Sequence, residues 1–196
     1  EDEVRNAIIE EIKPYCDKLY TNKVGNLIAF KKGKKSTEKP LLFAAHMDEV
    51  GFMIQYISDD GYLYFDTIGG IDNSVIGGRR MVIGDNRLLG VVASKAVHLQ
   101  KASERGVCLP VSEMYIDIGC TTKEDAKKHV SVGDCGVFVP NFEKFGDGFI
   151  KSKAIDDRFG CAVLCTMIKE EREYDTMFAF TVCEEVGCRG AMTAAY

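Results

Sequence analysis

A chain of 196 residues holds one large domain or two small ones, and 46% hydrophobic with 28% charged residues excludes wholesale disorder. Its 25 basic and 30 acidic residues give a net charge of -5, which removes the electrostatic footprint of a non-specific nucleic-acid binder. Eight scattered cysteines with no CxxC pair exclude a disulfide scaffold and a cysteine-rich zinc module, and fit a reducing, cytoplasmic setting. No apolar run approaches the about 20 residues that span a bilayer, so no membrane role is expected.

In chain order, the opening EDEVRNAIIEEI is acidic and amphipathic, unlike a signal peptide. It lacks an initiator methionine, so either the start was processed or the chain is a piece of something longer. Val4, Ile8, Ile9 and Ile12 share one stripe at helical spacing, and Pro14 stops that helix. Val24 to Phe30 is a short apolar run; KKGKKSTEKP after it reads as a solvated turn, broken by Gly33 and Pro40, rather than a basic patch. Leu41 to Ala45 is continuously apolar, the pattern of a strand buried on both faces. Val50 to Ile57 predicts another strand, and Asp59-Asp60-Gly61 a hairpin turn before Tyr62 to Phe65.

From Thr67 to Gly146 the texture shifts to short β-rich runs separated by glycine, among them Met81 to Ile83, Leu88 to Ala93, Met114 to Ile118 and Gly136 to Val139. Such spacing predicts a small barrel or sandwich. Arg158 to Glu170 then predicts a helix and Thr176 to Cys183 a buried strand, a strand–helix–strand layout with a parallel sheet. The parse is an α/β domain over 1–66 and 147–196, interrupted by a β insertion over 67–146.

Three charged clusters sit at the ends of apolar strands or before the helix. His46 lies two residues from Asp48, and imidazole near carboxylate suits a metal ligand, although a strand cap followed by a turn explains it as well. Asp156-Asp157 could ligate a metal or simply favour a helix N-terminus. Glu184-Glu185 follows a buried strand, where α/β proteins place their sites, or is a solvated strand end. Together the bland readings weaken, because all three clusters could gather at one edge of one sheet. Carboxylates with one imidazole suit zinc, cobalt or manganese, and leave one glutamate for general-base work.

The runs HMDEVGFMI, KAIDDRFGCAVL and EEVGCRGA resemble the M42 family of metallo-aminopeptidases, which includes glutamyl and tetrahedral aminopeptidases and whose members are often labelled endoglucanases. GGRRMVIGDNRLLGVVASKAVHL, MYIDIGC and SVGDCGVF resemble that family's inserted domain, so the likeness spans the chain. The resemblance implies a metallopeptidase sheet of phosphorylase/hydrolase-like type carrying an inserted small β-barrel that forms dimers, the units of twelve-subunit shells. It implies two divalent ions, zinc or cobalt. His46 and Glu185 would be terminal ligands, Asp156 would bridge, and Glu184 would be the general base. Asp48 would orient His46, Asp157 would support the ligands, and a cis peptide would follow Asp156. Short peptides would be the substrates.

The family pattern also calls for an aspartate and a histidine ligand beyond the EEVG motif, which this chain does not contain, so it resembles the first half to three-fifths of such a protein and is expected to be inactive alone. Two rival readings remain. A glycoside hydrolase would use Glu184 and Glu185 without metal, but neighbours on one strand end do not readily face each other across a sugar. A non-catalytic assembly module would need the insert alone. His98 and His129 show no ligand pattern and read as structural or solvated, and Cys183 and Cys188 as small buried hydrophobes.

Overall fold

The computed structural model describes residues 1–93 and 107–195, so the reading of His98 lies outside the described residues. Two compact units emerge: Glu1–Glu49 with Ala154–Tyr196, and Val50–Lys153.

The first unit is α/β. Helix α1 (Asp2–Ile12) leads through a short turn that contains Pro14 into β1 (Lys18–Thr21) and β2 (Leu27–Lys31). Strand β3 (Leu41–His46) carries the first charged cluster at its end. The sheet is completed by a later strand, Thr176–Thr181, reached through the long helix Ile155–Lys169. Sheet order is β1, β2, Thr176–Thr181, β3. Only the last pair is parallel; β2 runs antiparallel to both its neighbours, so the expected parallel sheet is mixed. The helical stripe of α1 buries Ile8 and Ile12 in a core with Leu27, Met47, Leu164, Ile168, Phe178 and Phe180. That core fixes helix and strands as one block, because each apolar side chain leaves water on the same side of the sheet.

Strand β3 departs from expectation. Leu41 to Ala44 are exposed, and only Ala45 and His46 are buried. The strand lies at the edge of the sheet among the described residues, so its apolar run has one strand partner there and stays exposed even though the helix Ile155–Lys169 packs against the strand.

The second unit is a closed six-stranded barrel. Its strands are β4 (Gly51–Ile57), β5 (Leu63–Ile68), β6 (Arg80–Ile83), β7 (Leu88–Ala93), β8 (Tyr115–Asp117) and β9 (Cys135–Phe138), arranged β4-β5-β8-β7-β6-β9. Strand alternation points Phe52, Ile54, Leu63, Phe65, Met81, Ile83, Val92 and Ile116 into one core, where Phe52 meets Phe65 and Phe138 edge-on at 5.1 Å each. The Asp59-Asp60-Gly61 turn joins β4 to β5, with Gly61 at φ 83°. A short helix α2 (Lys123–Ala126) follows β8, and a hairpin of β10 (Glu143–Phe145) and β11 (Phe149–Lys151) ends the unit. The unit boundaries thus fall at 49/50 and 153/154 instead of 66/67 and 146/147. The physical reason is pairing: β4 and β5 bond to each other and to β9 and β8, and to no strand of the α/β sheet. Helix α3 is Ile155–Lys169, strand β12 is Thr176–Thr181, and helix α4 is Arg189–Ala194.

Candidate metal centre

Parallel pairing of β3 with β12 sets His46 opposite Thr181, so the ends of two neighbouring strands deliver the first and third charged clusters side by side. The Met47 N–H donates to the Thr181 carbonyl at 2.8 Å and continues the ladder past His46. The second cluster arrives on the first turn of α3, which packs against the same sheet.

His46 is buried, with its side chain 10% exposed, and its Nε2 faces Asp156 Oδ1 at 3.1 Å and Glu184 Oε2 at 3.7 Å. Glu185 joins them: ligand atoms of His46, Glu184 and Glu185 lie within 4.8 Å of one another. Nδ1 on the other side of the ring faces the Asp48 carbonyl at 3.2 Å and Asp48 Oδ1 at 3.5 Å. Asp48 Oδ2 accepts the Glu185 N–H at 3.1 Å, so one buried carboxylate tethers the histidine loop to the glutamate turn. Its other oxygen, Oδ1, is buried and makes no hydrogen bond. Asp156 differs from its neighbours in being largely exposed, at 91% of its side chain. Asp157 turns away from the imidazole and accepts the Gly160 N–H at 3.0 Å; a Cβ at Gly160 would lie 2.4 Å from that carboxylate, so only glycine leaves room for the contact.

The backbone is unusual at the second and third clusters. The Asp156–Asp157 peptide is cis. Ala154, Cys183 and Cys188 adopt left-handed φ of 55°, 56° and 54°, a conformation costly for residues with a Cβ and frequent around functional sites.

Three residues that sequence reasoning did not single out hold this geometry. Arg158 donates from Nε to the Met47 carbonyl at 3.3 Å and from its guanidinium to Glu49 at 2.8 Å, clamping α3 to the loop after β3. Asn26 is fully buried; its amide oxygen accepts the Val182 N–H at 3.0 Å and its NH₂ donates to the Gly190 carbonyl at 2.8 Å, bracketing the turn that carries both glutamates. Gly190 permits this approach, since a Cβ there would lie 2.1 Å from the Val182 oxygen. A lone buried amide has no periodic signature, which is why only the adjacent motif was visible. Cys188 also differs from expectation: it is exposed, and its thiol donates to Glu184 Oε1 at 3.2 Å.

Charge crowding shapes the titration. Burial would lower the His46 pKa, but the hydrogen bond to Asp156 and the charges of Asp48 and Glu184 outweigh it and hold the imidazole above its ordinary value. Burial pushes Glu185 up; His46 opposes the rise, while Glu184, Asp48 and Asp156 add to it. Burial, reinforced by Asp157, raises the Cys161 thiol to about 12, and that thiol donates to the His46 carbonyl, so it is a packing group. One imidazole grouped with carboxylates on its Nε2 side, and backed at Nδ1 by a buried carboxylate, is a donor set matched to a divalent cation.

A convergent carboxylate–imidazole centre at the strand ends of an α/β sheet, in a chain that also folds a separate barrel, defines the class. The chain belongs to the M42 glutamyl aminopeptidase family, whose pattern matches residues 25–196. A candidate aminopeptidase of Acetivibrio thermocellus is 46% identical over 198 residues, covering 100% of this chain and 57% of the relative. An aminopeptidase structure from the archaeon Desulfurococcus kamchatkensis superposes with a TM-score of 0.90 at 35% identity, covering 100% of this chain and 54% of that one. The TET1 peptidase of Pyrococcus horikoshii, which can assemble into a tetrahedron or a large octahedral shell, superposes with a TM-score of 0.86 at 36% identity, over 99% of this chain and 59% of that one. The chain therefore spans a little over half the length of these proteins.

Proposed function

We infer that the protein acts as a metal-dependent aminopeptidase, removing N-terminal residues from short peptides in the cytoplasm. The observation that carries this reading is the grouping of His46, Glu184 and Glu185, with Asp156 against the His46 imidazole, in a chain of the M42 family. His46, Asp156 and Glu185 would hold two divalent ions, zinc or cobalt, which when bound would supply Lewis acidity to a peptide carbonyl and a more acidic water. Nδ1 of His46, turned to Asp48, carries the ring proton and leaves the Nε2 lone pair for ligation. Glu184, beside the ligands, takes a proton from the attacking water and delivers it to the departing amine. Asp48 holds ring and glutamate turn in register, while Asp157 and Arg158 fix the start of α3.

A glycosidase reading finds no support in the geometry. Carboxylates that cleave glycosides flank the bond from opposite sides, whereas Glu184 and Glu185 are neighbours on one turn, grouped with a histidine that has no task in that chemistry. We also extend assembly to this protein, with the barrel unit Val50–Lys153 as the self-association surface and a dimer as its first product. Loss of oligomer mass in light scattering on deleting a barrel that leaves the α/β unit folded is the expected outcome.

The functional test uses the protein at its full genomic length and aminoacyl anilides. Hydrolysis should vanish with a chelator, return with zinc or cobalt, and vanish in Glu184→Gln with metal content retained. Chelator-resistant turnover, or cleavage of a glucan, overturns the reading.

A further inference from the structure

A different set of side chains gathers in the barrel unit, outside everything assigned above. Ligand atoms of Cys120, Asp125 and His129 lie within 4.8 Å of one another. Local structure dictates the grouping. Asp117 at the end of β8 accepts the Gly119 N–H at 2.8 Å and turns the chain so that Cys120 precedes the helix. Thr122 caps α2 by accepting the Asp125 N–H at 3.3 Å, which places Asp125 in the first turn. The helical bonding runs on through His129 N–H to the Ala126 carbonyl at 3.0 Å, so Asp125 and His129, four residues apart, share a face.

The frame under these groups is fixed. Ala126 and Val130 are buried in the barrel core on the opposite side, and the Lys123 N–H donates to the Asp59 carbonyl at 3.0 Å in the β4–β5 turn. Cys120 is half-buried and its thiol bonds to the Asp125 carboxylate, whereas the His129 ring is exposed. Lys128 Nζ holds Asp125 Oδ1 at 3.1 Å from the solvent side, and a carboxylate retains its second oxygen for another partner.

We propose that Cys120, Asp125 and His129 form a divalent-metal site of the borderline-soft class, zinc or cobalt, with three protein ligands and one open position. Thiolate, imidazole and carboxylate together select such ions over calcium or magnesium, which take oxygen alone. Tetrahedral zinc needs donors about 3.3–3.5 Å apart, given bonds of about 2.3 Å to sulfur and about 2.0 Å to nitrogen or oxygen. Side-chain torsions of an exposed histidine and a first-turn aspartate can close the remaining distance. On loading, the Cys120 thiol gives its proton to solvent and the sulfur becomes the ligand, replacing its hydrogen bond to Asp125 with a bond to the ion. The sequence reading of His129 as structural or solvated is superseded on this proposal, because its partners lie in another turn and a preceding loop.

Cobalt titration of the 196-residue chain, followed by absorption, tests the site without reference to hydrolysis. Only a thiolate ligand gives the near-ultraviolet sulfur-to-cobalt charge-transfer band, and the His46 cluster has no thiolate among its assigned ligands. The band should saturate at about one cobalt per chain, in keeping with three ligands and an open position. It should disappear in Cys120→Ser and stay unchanged in Cys188→Ser. In His129→Ala and Asp125→Asn cobalt affinity should fall at least about tenfold, since even supporting residues of metal sites cost about 10–100-fold. No band at excess cobalt, or an undiminished band in Cys120→Ser, overturns the proposal. Should Cys120→Ser fail to fold, unchanged affinity in both other variants overturns it equally.

Discussion

Asp48 uses its two carboxylate oxygens differently, and the difference predicts its replacement. Oδ2 accepts the Glu185 N–H, while buried Oδ1 faces the His46 ring without a hydrogen bond. Asp48→Asn keeps the size and loses the negative charge that supports the proton on Nδ1. Metal affinity of the full-length protein should fall by about 10–100-fold, measured by competition with a coloured chelator, with the fold intact by circular dichroism. Unchanged affinity would remove Asp48 from the centre. Asp175 gives a second residue-scale expectation. Its carboxylate accepts the Gly33 N–H at 2.9 Å and the Ser36 hydroxyl at 2.8 Å, and these bonds hold its pKa below the usual value. A depressed folded pKa contributes stability that is fully present above the unfolded value of about 3.9 and is lost as pH falls through the folded one. Asp175→Asn should therefore weaken the α/β unit near neutrality and behave more like wild type near about pH 3, as read from urea melts at both conditions. A gap that widens on acidification would contradict the assignment.

At the scale of elements, the decisive piece is the turn from β12 into α4, which presents Glu184 and Glu185. Asn26, at the start of β2, satisfies the Val182 N–H and the Gly190 carbonyl at once, in a site without water access. Asn26→Ala leaves the buried Val182 N–H unpaired, at about 1–3 kcal/mol for a buried orphan, while the Gly190 carbonyl keeps the Thr193 hydroxyl at 2.8 Å, so destabilisation of about 1 kcal/mol or more is expected in chemical melts. A loss under about 0.5 kcal/mol would mean the turn relaxes to find other partners. Elements also mark how far the sequence could be read. Alternation in Phe52, Ile54, Leu63 and Phe65 reported strands correctly, because inward residues of a small barrel must all be apolar. It did not report which sheet they join, since β4 follows the histidine motif without a break and its partner β9 lies far along the chain. The apolar run of β3 recorded what could be covered, not what covers it. β1 and the β10–β11 hairpin, both mostly exposed, left no periodic trace. The charged clusters were legible because each occupies a strand end or helix start, where chemistry and local structure coincide; Asn26 and Arg158 were not, because their partners are backbone groups distant in sequence.

For the molecule as a whole, the count of ligands decides what 196 residues can do. A catalytic ion normally keeps three protein ligands and one open position. On the proposed reading the described residues would supply His46, Asp156 and Glu185 as protein ligands, fewer than three for each of two ions. In the proposed roles Glu184 is reserved as the general base, Asp48 Oδ1 faces Nδ1 on the other side of the His46 ring, and Asp157 accepts the Gly160 N–H. With fewer than three protein ligands each, such ions would be held weakly and would not fix the attacking water relative to Glu184. Misplacement of about 1 Å in such an assembly costs on the order of 100-fold in rate. The 196 residues, supplied with zinc or cobalt, should thus hydrolyse aminoacyl anilides at least about 100-fold more slowly than a longer chain that gives each ion a third protein ligand, under the same conditions. Side-by-side rates, with Glu184→Gln as the blank for each, make the comparison. Turnover by the 196 residues within about tenfold of that longer chain, abolished by Glu184→Gln, would mean that the ions draw their third ligands from within these residues, with Glu184 or Asp48 as the first to re-examine.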